Sequence, residues 1–205
     1  MIRIMAYAKV NFGLRVGLRR ADGFHPIFGR FQSISVADEV VVSFSEADEI
    51  VAKHGGPVPA GRHNLAWLAI EAVRREAGNH RPVTVTLTKN IPVAAGLGGG
   101  SADCAAALVA AQRLFGVSDE SVADLSRGLG SDVPFCLVGG YAEVSGRGER
   151  VEQLPPVGSF ALALVVPPVE LSTSDVFRQW DLMKGPQGSE VDTASLPTAL
   201  RGEDF

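Results

Sequence analysis

The segment Pro92-Val93-Ala94-Ala95-Gly96-Leu97-Gly98-Gly99-Gly100-Ser101-Ala102-Asp103 carries four glycines in five positions. Glycine at that density removes side chains where a backbone must approach another group closely. The alanine-rich run over residues 104–114 follows at once and reads as a helix. A glycine loop feeding a helix N-terminus offers several free N–H donors and the positive end of a dipole, which is the chemistry of a phosphate cradle. The competing use is a tight strand-to-helix turn, but a plain turn needs only one or two glycines. Two better-known loops are excluded. A P-loop ends in Gly-Lys-Ser/Thr, and here no lysine stands between Gly100 and Ser101. A dinucleotide loop opens a βαβ unit near its start, whereas Gly96, Gly98 and Gly99 lie mid-chain.

Two N-terminal segments add candidate chemistry. In Ala6-Tyr7-Ala8-Lys9-Val10-Asn11-Phe12 the lysine and the asparagine are two apart, so on a strand both face one way and Ala8, Val10 and Phe12 face the other. Polar residues pointing to solvent give the same pattern. Arg19-Arg20-Ala21-Asp22-Gly23-Phe24-His25 is a charged turn ending in an aromatic–histidine pair. An aromatic face can stack on a base and a histidine can hydrogen-bond a base edge; a histidine after a glycine turn is also often merely exposed. Asp132, in Gly130-Ser131-Asp132-Val133-Pro134, sits in an apolar setting where a carboxylate caps a helix, pairs with an arginine or serves as a base.

The elements that must hold these residues are legible from periodicity. Residues 2–18 read as one or two strands, 31–45 as a strand and 83–88 as an alternating strand. Residues 64–77 have helical apolar spacing, and 120–129 form a second helix capped by Ser118. Residues 52–62 read as a loop, and 138–143 and 150–154 as short strands around Gly146-Arg147-Gly148. After Pro155-Pro156, residues 160–166 read as a continuous apolar strand, 174–182 as a helix and 185–193 as a polar segment. The mixture predicts an α+β fold with helices covering one face of a sheet.

Bulk properties narrow the partners. The chain has 205 residues, 46% hydrophobic and 20% charged, with a formal net charge of −4. That balance gives no broad basic footprint for nucleic acid. No apolar run approaches the roughly 18–20 residues of a membrane helix, and no secretory signal opens the chain. Cys104 and Cys136 lie in apolar surroundings and read as reduced core residues, consistent with a cytoplasmic protein. His25, His54, His63 and His80 lack metal-ligand spacing.

Four motifs occur in order: Lys-x-Asn at Lys9 and Asn11, Arg-x-Asp-Gly-Phe-His ending at His25, the glycine loop, and Gly-Ser-Asp-Val-Pro at 130–134. This series resembles the GHMP kinases. Within them it resembles the branch that phosphorylates the 2-hydroxyl of a cytidine-diphosphate-linked methylerythritol in non-mevalonate isoprenoid synthesis. The resemblance covers residues 6 to about 182. It implies the GHMP kinase fold, with a ribosomal-protein-like N-terminal domain at 1–155 and the beginning of a C-terminal α+β domain at 156–205. It implies ATP and Mg²⁺ as cofactors, a small-molecule substrate, and neither nucleic acid nor membrane as partner. Lys9 and Asp132 match the catalytic pair, and Asn11 lies beside Lys9 in the substrate site. Phe24 and His25 match positions that hold the cytosine ring, with phenylalanine where the family more often has tyrosine. Phe177 matches a second aromatic that sandwiches the base. Asn64 and Lys89 match positions near the adenine. Pro92, Gly96, Leu97, Gly98, Gly99, Gly100 and Ser101 match the triphosphate loop, with Ser101 able to reach the metal or a phosphate.

The resemblance also implies a longer chain, with a further glycine-rich motif after Leu182, so these residues are expected to be a truncated form whose activity is open. The alternatives are another GHMP kinase, acting on homoserine or mevalonate, or an inactive fragment of such a kinase. A nucleic-acid-binding module is a third reading, which the net charge of −4 opposes.

Overall fold

A computed structural model describes residues 1–53, 61–167 and 172–183 of the chain. Among the described residues one mixed sheet holds β1 (Ile2–Val16), β2 (Ile27–Phe44), β3 (Glu49–Lys53), β4 (Val83–Thr88), β5 (Tyr141–Gly146) and β6 (Arg150–Gln153). The helices are α1 (Leu65–Ala77), α2 (Gly99–Phe115), α3 (Asp119–Leu129), α4 (Val133–Val138) and α5 (Thr173–Leu182). The architecture is α+β, as the periodicity predicts.

The long strand β2 organises the sheet. One of its edges pairs antiparallel with β1, from Ile2↔Val42 to Val16↔Ile27. Its other edge pairs with β5 over residues 27–32 and with β4 over residues 39–44. β3 then runs parallel to β4, and β6 runs antiparallel to β5. The alternation in β4 does what alternation should: Val83, Val85 and Leu87 are fully buried while the intervening threonines are half-buried.

The core lies between this sheet and α1 and α2. Val40, Val42, Val83, Val85 and Leu87 from the sheet meet Ala69, Ile70 and Val73 of α1 and Leu108 of α2. The small residues of α2, among them Ala102, Ala105, Ala106, Ala107, Ala110 and Ala111, let it lie centrally with little side-chain bulk. A smaller cluster of Phe31, Phe135, Ala142 and Val144 lies under α4. Helix ends follow local chemistry. Asn64 and Ser118 cap α1 and α3 by accepting N–H bonds from Ala66 and Ser121, and Gly78 closes α1 in the left-handed region. Cys104 and Cys136 are free thiols, both pushed up to about 12 by burial.

Several elements depart from the sequence reading. β3 is not expected from the sequence, and its last two residues, Ala52 and Lys53, fall in the segment read as a loop. It is short and unpatterned, and its support is non-local: Asp48, just before it, takes a two-pronged ion pair from Arg74 of α1 and the N–H of Val83 at the start of β4. Helix α2 begins at Gly99, five residues before the alanine run, and α4 occupies an apolar stretch with no helical period. Residues 160–166 form no strand. Strand formation needs a partner ladder, and no described strand pairs with them; Leu162, Leu164, Val165 and Val166 stand exposed. Residues 54–60 of the expected loop, 168–171, the polar segment at 185–193 and the rest of 184–205 lie outside the described residues.

One buried cluster sets both ends of the glycine loop. Lys89, just after β4, gives its ammonium to Asp38 of β2 and to Asp103 of α2. Asp38 also accepts the main-chain N–H groups of Asn90 at 2.5 Å and Ile91 at 2.8 Å. The loop thus leaves from an anchored Asn90-Ile91 and re-enters a helix whose first turns are anchored through Asp103. Three donors serve Asp38, but Oδ1 of Asp103 is buried without a hydrogen-bond partner among the described residues. Burial accordingly pushes the Asp103 carboxyl up from 3.8 to about 7, against the pull of Lys89.

This carries a pH prediction. In the unfolded chain the carboxyl titrates at about 4, so between about pH 4 and pH 7 the folded state holds an extra proton. The stability this group contributes is complete below about pH 4 and is lost as pH rises towards 7. Asp103→Asn is expected to remove that part of the fall in Tm. Matched thermal melts from about pH 4.5 to 8 check this; equal slopes in both proteins would contradict it.

Candidate active site

The glycine loop is shaped for close approach. Gly98 stands before α2 with φ of 73°, in the left-handed region, and makes no side-chain cap. A Cβ built there would lie 3.0 Å from Cγ and 3.1 Å from Cε of Lys9. The N–H of Lys9 donates to the carbonyl of Leu97 at 2.9 Å. Loop and β1 are therefore locked together at Lys9. Ala94 also has positive φ, 56°, an unusual state for a residue with a side chain. No acidic side chain stands in the first turn of α2, so its N-terminal positive end is not neutralised from within.

Lys9 is buried, with its pairing to β2 broken between Tyr7↔Ala37 and Lys9↔Ser33. The break leaves both Ala8 and Lys9 in the interior, so the solvent-facing reading of this strand does not hold. The ammonium lies 3.2 Å from Oδ2 of Asp132 and donates to Oδ1 of Asn11 at 3.1 Å. It also stands 5.1 Å from the centre of the Phe31 ring. Asp132 occupies the N-cap place of α4, yet its side chain makes no cap bond. Of the roles open to this carboxylate, neither capping nor an arginine partner is realised; it faces Lys9 instead. A Cβ built on Gly130 would lie 3.3 Å from Cγ2 of Val133 and 4.0 Å from Ser101 Oγ, so the loop before Asp132 lies near the start of α2.

The aromatic–histidine corner lies in the turn after β1. Phe24 is 45% exposed, with its N–H bonded to Asp22, and the guanidinium of Arg147 stands 5.1 Å from its ring centre. His25 is buried. Its Nδ1 lies 2.9 Å from the carbonyl of Gly17, which can only accept, so Nδ1 carries the proton. Its Nε2 is 3.3 Å from Asp181 of α5. Phe177, one turn earlier on the same helix face, stacks on His25 at 5.2 Å between centres. Phe177 thus rests on His25.

Two residues expected near the adenine have other partners. Asn64 is buried and its side-chain oxygen caps α1. Lys89 is held by its two carboxylates rather than turned outward. Pro92 is half-buried at the loop's start, and Leu97 is buried within it. Asp38, Asp103 and Arg147 were not singled out from sequence. Asp103 ends the glycine motif, which is its only signal; the others depend on distant contacts, such as Lys89 with Asp38 at a separation of 51 and Arg147 with Arg127 at 20. Among the described residues, no group of three or more His, Cys, Asp or Glu side chains could hold a metal ion, and no helix is long and apolar enough to cross a membrane.

Comparison with known proteins fits this geometry. Residues 64–140 match the family described as GHMP kinases N terminal domain. The chain is 40% identical over 207 residues to the 4-diphosphocytidyl-2-C-methyl-D-erythritol kinase of Moorella thermoacetica, covering 99% of this chain and 72% of that protein. It is 43% identical over 183 residues to the enzyme of the same name from Caldanaerobacter subterraneus subsp. tengcongensis, covering 88% of this chain and 63% of the relative. A crystal structure of 4-(cytidine 5'-diphospho)-2C-methyl-D-erythritol kinase superposes with a TM-score of 0.76 at 35% identity, over 98% of this chain and 72% of that one. The mevalonate kinase of Methanococcus jannaschii shares the fold at a TM-score of 0.57 and 12% identity. The chain belongs to the 4-diphosphocytidyl-2-C-methyl-D-erythritol kinase family of the GHMP kinases.

Proposed function

We propose that this chain transfers the γ-phosphoryl group of ATP to the 2-hydroxyl of 4-diphosphocytidyl-2-C-methyl-D-erythritol. The observation that carries the reading is the seating of Gly98 on the stem of Lys9 while the Lys9 ammonium lies 3.2 Å from Asp132. A phosphate-cradling loop, a cation and a carboxylate then share one point. Phosphoryl transfer asks for positioning and charge stabilisation rather than covalent help from the protein.

In this reading Pro92 and Gly96 to Ser101 hold the triphosphate, chiefly through main-chain N–H groups at the α2 terminus. The substrate hydroxyl gives its proton to the Asp132 carboxylate as its oxygen bonds to the γ-phosphorus. The bond from that phosphorus to the bridging oxygen breaks, and ADP leaves. Lys9, held by Asn11, offsets charge on the transferring group. A magnesium ion, when bound, neutralises phosphate charge. Of the loop residues, Ser101 at the α2 terminus would offer such an ion a hydroxyl oxygen. Phe24, His25 and Phe177 form the cytosine side, which requires Phe177 to leave His25. Asn64 and Lys89 act behind the nucleotide, as anchors of α1 and of the loop. Residues 1–155 form the ATP- and substrate-binding domain in this account, and residues 156–205 belong to a second one.

Three measurements test the reading. ATP consumption should require the cytidine-diphosphate alcohol and not mevalonate or homoserine; turnover of either of those instead would replace the substrate assignment. Asp132→Asn should keep ATP affinity and lower kcat by about 10²–10⁴-fold, and a near-normal kcat would remove Asp132 from the chemistry. Gly98→Val should weaken ATP binding out of proportion to its loss of Tm, because a branched side chain strikes Lys9 beside the loop and disfavours positive φ. Leu108→Ala, in the fully buried part of α2, should show the opposite balance, losing about 2–5 kcal/mol of stability. Normal ATP affinity with a much lower Tm in Gly98→Val would reduce the loop to a turn.

A further inference from the structure

We propose that the β5–β6 turn is a positioning element for the reaction, in which Gly148 fixes the main chain that carries Asp132 and Arg147 orients the Phe24 ring. The inference rests on the functional reading above, and its geometry is independent of it.

Gly148 is buried, with φ of 118°. A Cβ placed on it would lie 2.4 Å from the carbonyl oxygen of Ser131, 2.9 Å from its carbon and 3.0 Å from its Cβ. No side chain fits without displacing Ser131, the residue whose peptide leads into Asp132. Asp132 has no cap bond to hold its side chain to α4. The direction of its carboxylate is set by the Lys9 ammonium and by the main chain at 130–132, and the turn is the surface on which that main chain rests.

The other side of the same turn reaches the base end of the site. The guanidinium of Arg147 stands 5.1 Å from the Phe24 ring centre, and its Nη2 donates to the carbonyl of Arg127 at 3.3 Å, in the last turn of α3. A C-terminal helix carbonyl is a favourable partner for a cation. With the cation beside the ring, Phe24 has a preferred orientation without the hydroxyl that tyrosine would bring. The turn itself is preformed: the Arg147 N–H donates to Glu149 Oε2 at 2.6 Å and the Gly148 N–H to the Ser145 carbonyl at 3.2 Å. One turn thus meets the carboxylate loop through Gly148 and the exposed aromatic through Arg147. A merely structural hairpin would need neither contact.

The test compares Gly148→Ala, Arg147→Ala and Arg147→Lys with the parent chain. The readouts are kcat, the KM of each substrate, Tm and amide hydrogen exchange over residues 127–136. Gly148→Ala should lower kcat on the order of 10²-fold while the KM for ATP holds. It should also speed exchange at Cys136, whose N–H donates to the Asp132 carbonyl. Arg147→Ala should raise the KM of the cytidine substrate about 2–5-fold with the KM for ATP unchanged. Arg147→Lys should restore part of the loss, and Arg147→Ala should add nothing on a Phe24→Ala background. A folded Gly148→Ala protein with parental kcat and parental exchange would overturn the first half. An equal rise of both KM values in Arg147→Ala, or a full additional loss on the Phe24→Ala background, would overturn the second. If Gly148→Ala fails to fold, the Arg147 variants decide. If the parent chain turns over no cytidine substrate, the functional reading fails, and hydrogen exchange alone judges the turn.

Discussion

Lys9 is the residue through which the rest of the site is joined. Its N–H holds the glycine loop by the Leu97 carbonyl, its stem forms the floor under Gly98, and its ammonium meets Asp132 and Asn11. Three segments far apart in sequence, β1, the loop before α2 and the residue before α4, are brought to one side chain. A buried ammonium is costly unless paired and hydrogen-bonded. That requirement explains why Asp132 turns away from the cap bond its position would allow.

The frame around Lys9 follows the same logic of paired burial. Lys89 sits between Asp38 and Asp103, so two carboxylates and one ammonium stand in the interior behind the loop. Such a cluster adds little stability against an apolar one, and its defensible use is to fix register. Here it fixes where the loop begins and where α2 starts. The alanines of α2 serve the same end by a different force, since small side chains allow the helix carrying the loop to lie against the sheet and α1 without displacement. The site is positioned by anchors on both ends and by contact from beneath.

Much of this was legible in the chain. Glycine density announced the loop, alternation announced β4, and Ser118 lay where a helix cap belongs; that Asn64 caps α1 was not read from the sequence. Periodicity carried these because each depends on neighbours within a turn or a strand. What it missed depends on distant partners. β3 has no pattern of its own and exists because Asp48 binds Arg74 and the start of β4. Residues 160–166 have every local mark of a strand and lack a paired neighbour among the described residues. Nothing local signals that Lys89 is held by Asp38, 51 positions earlier. The Lys9–Asp132 pair came from the order of motifs; no spacing rule connects positions that far apart.

The central claim is that Lys9 and Asp132 act as one unit on the phosphoryl group presented by the loop. The most direct measurement is a double-mutant cycle in single-turnover phosphoryl transfer, using Lys9→Met, Asp132→Asn and the double variant at saturating ATP. Residues acting as a unit are strongly non-additive. The account predicts that the double variant is about as slow as the slower single variant. A double variant slowed by the product of the two single losses would contradict it.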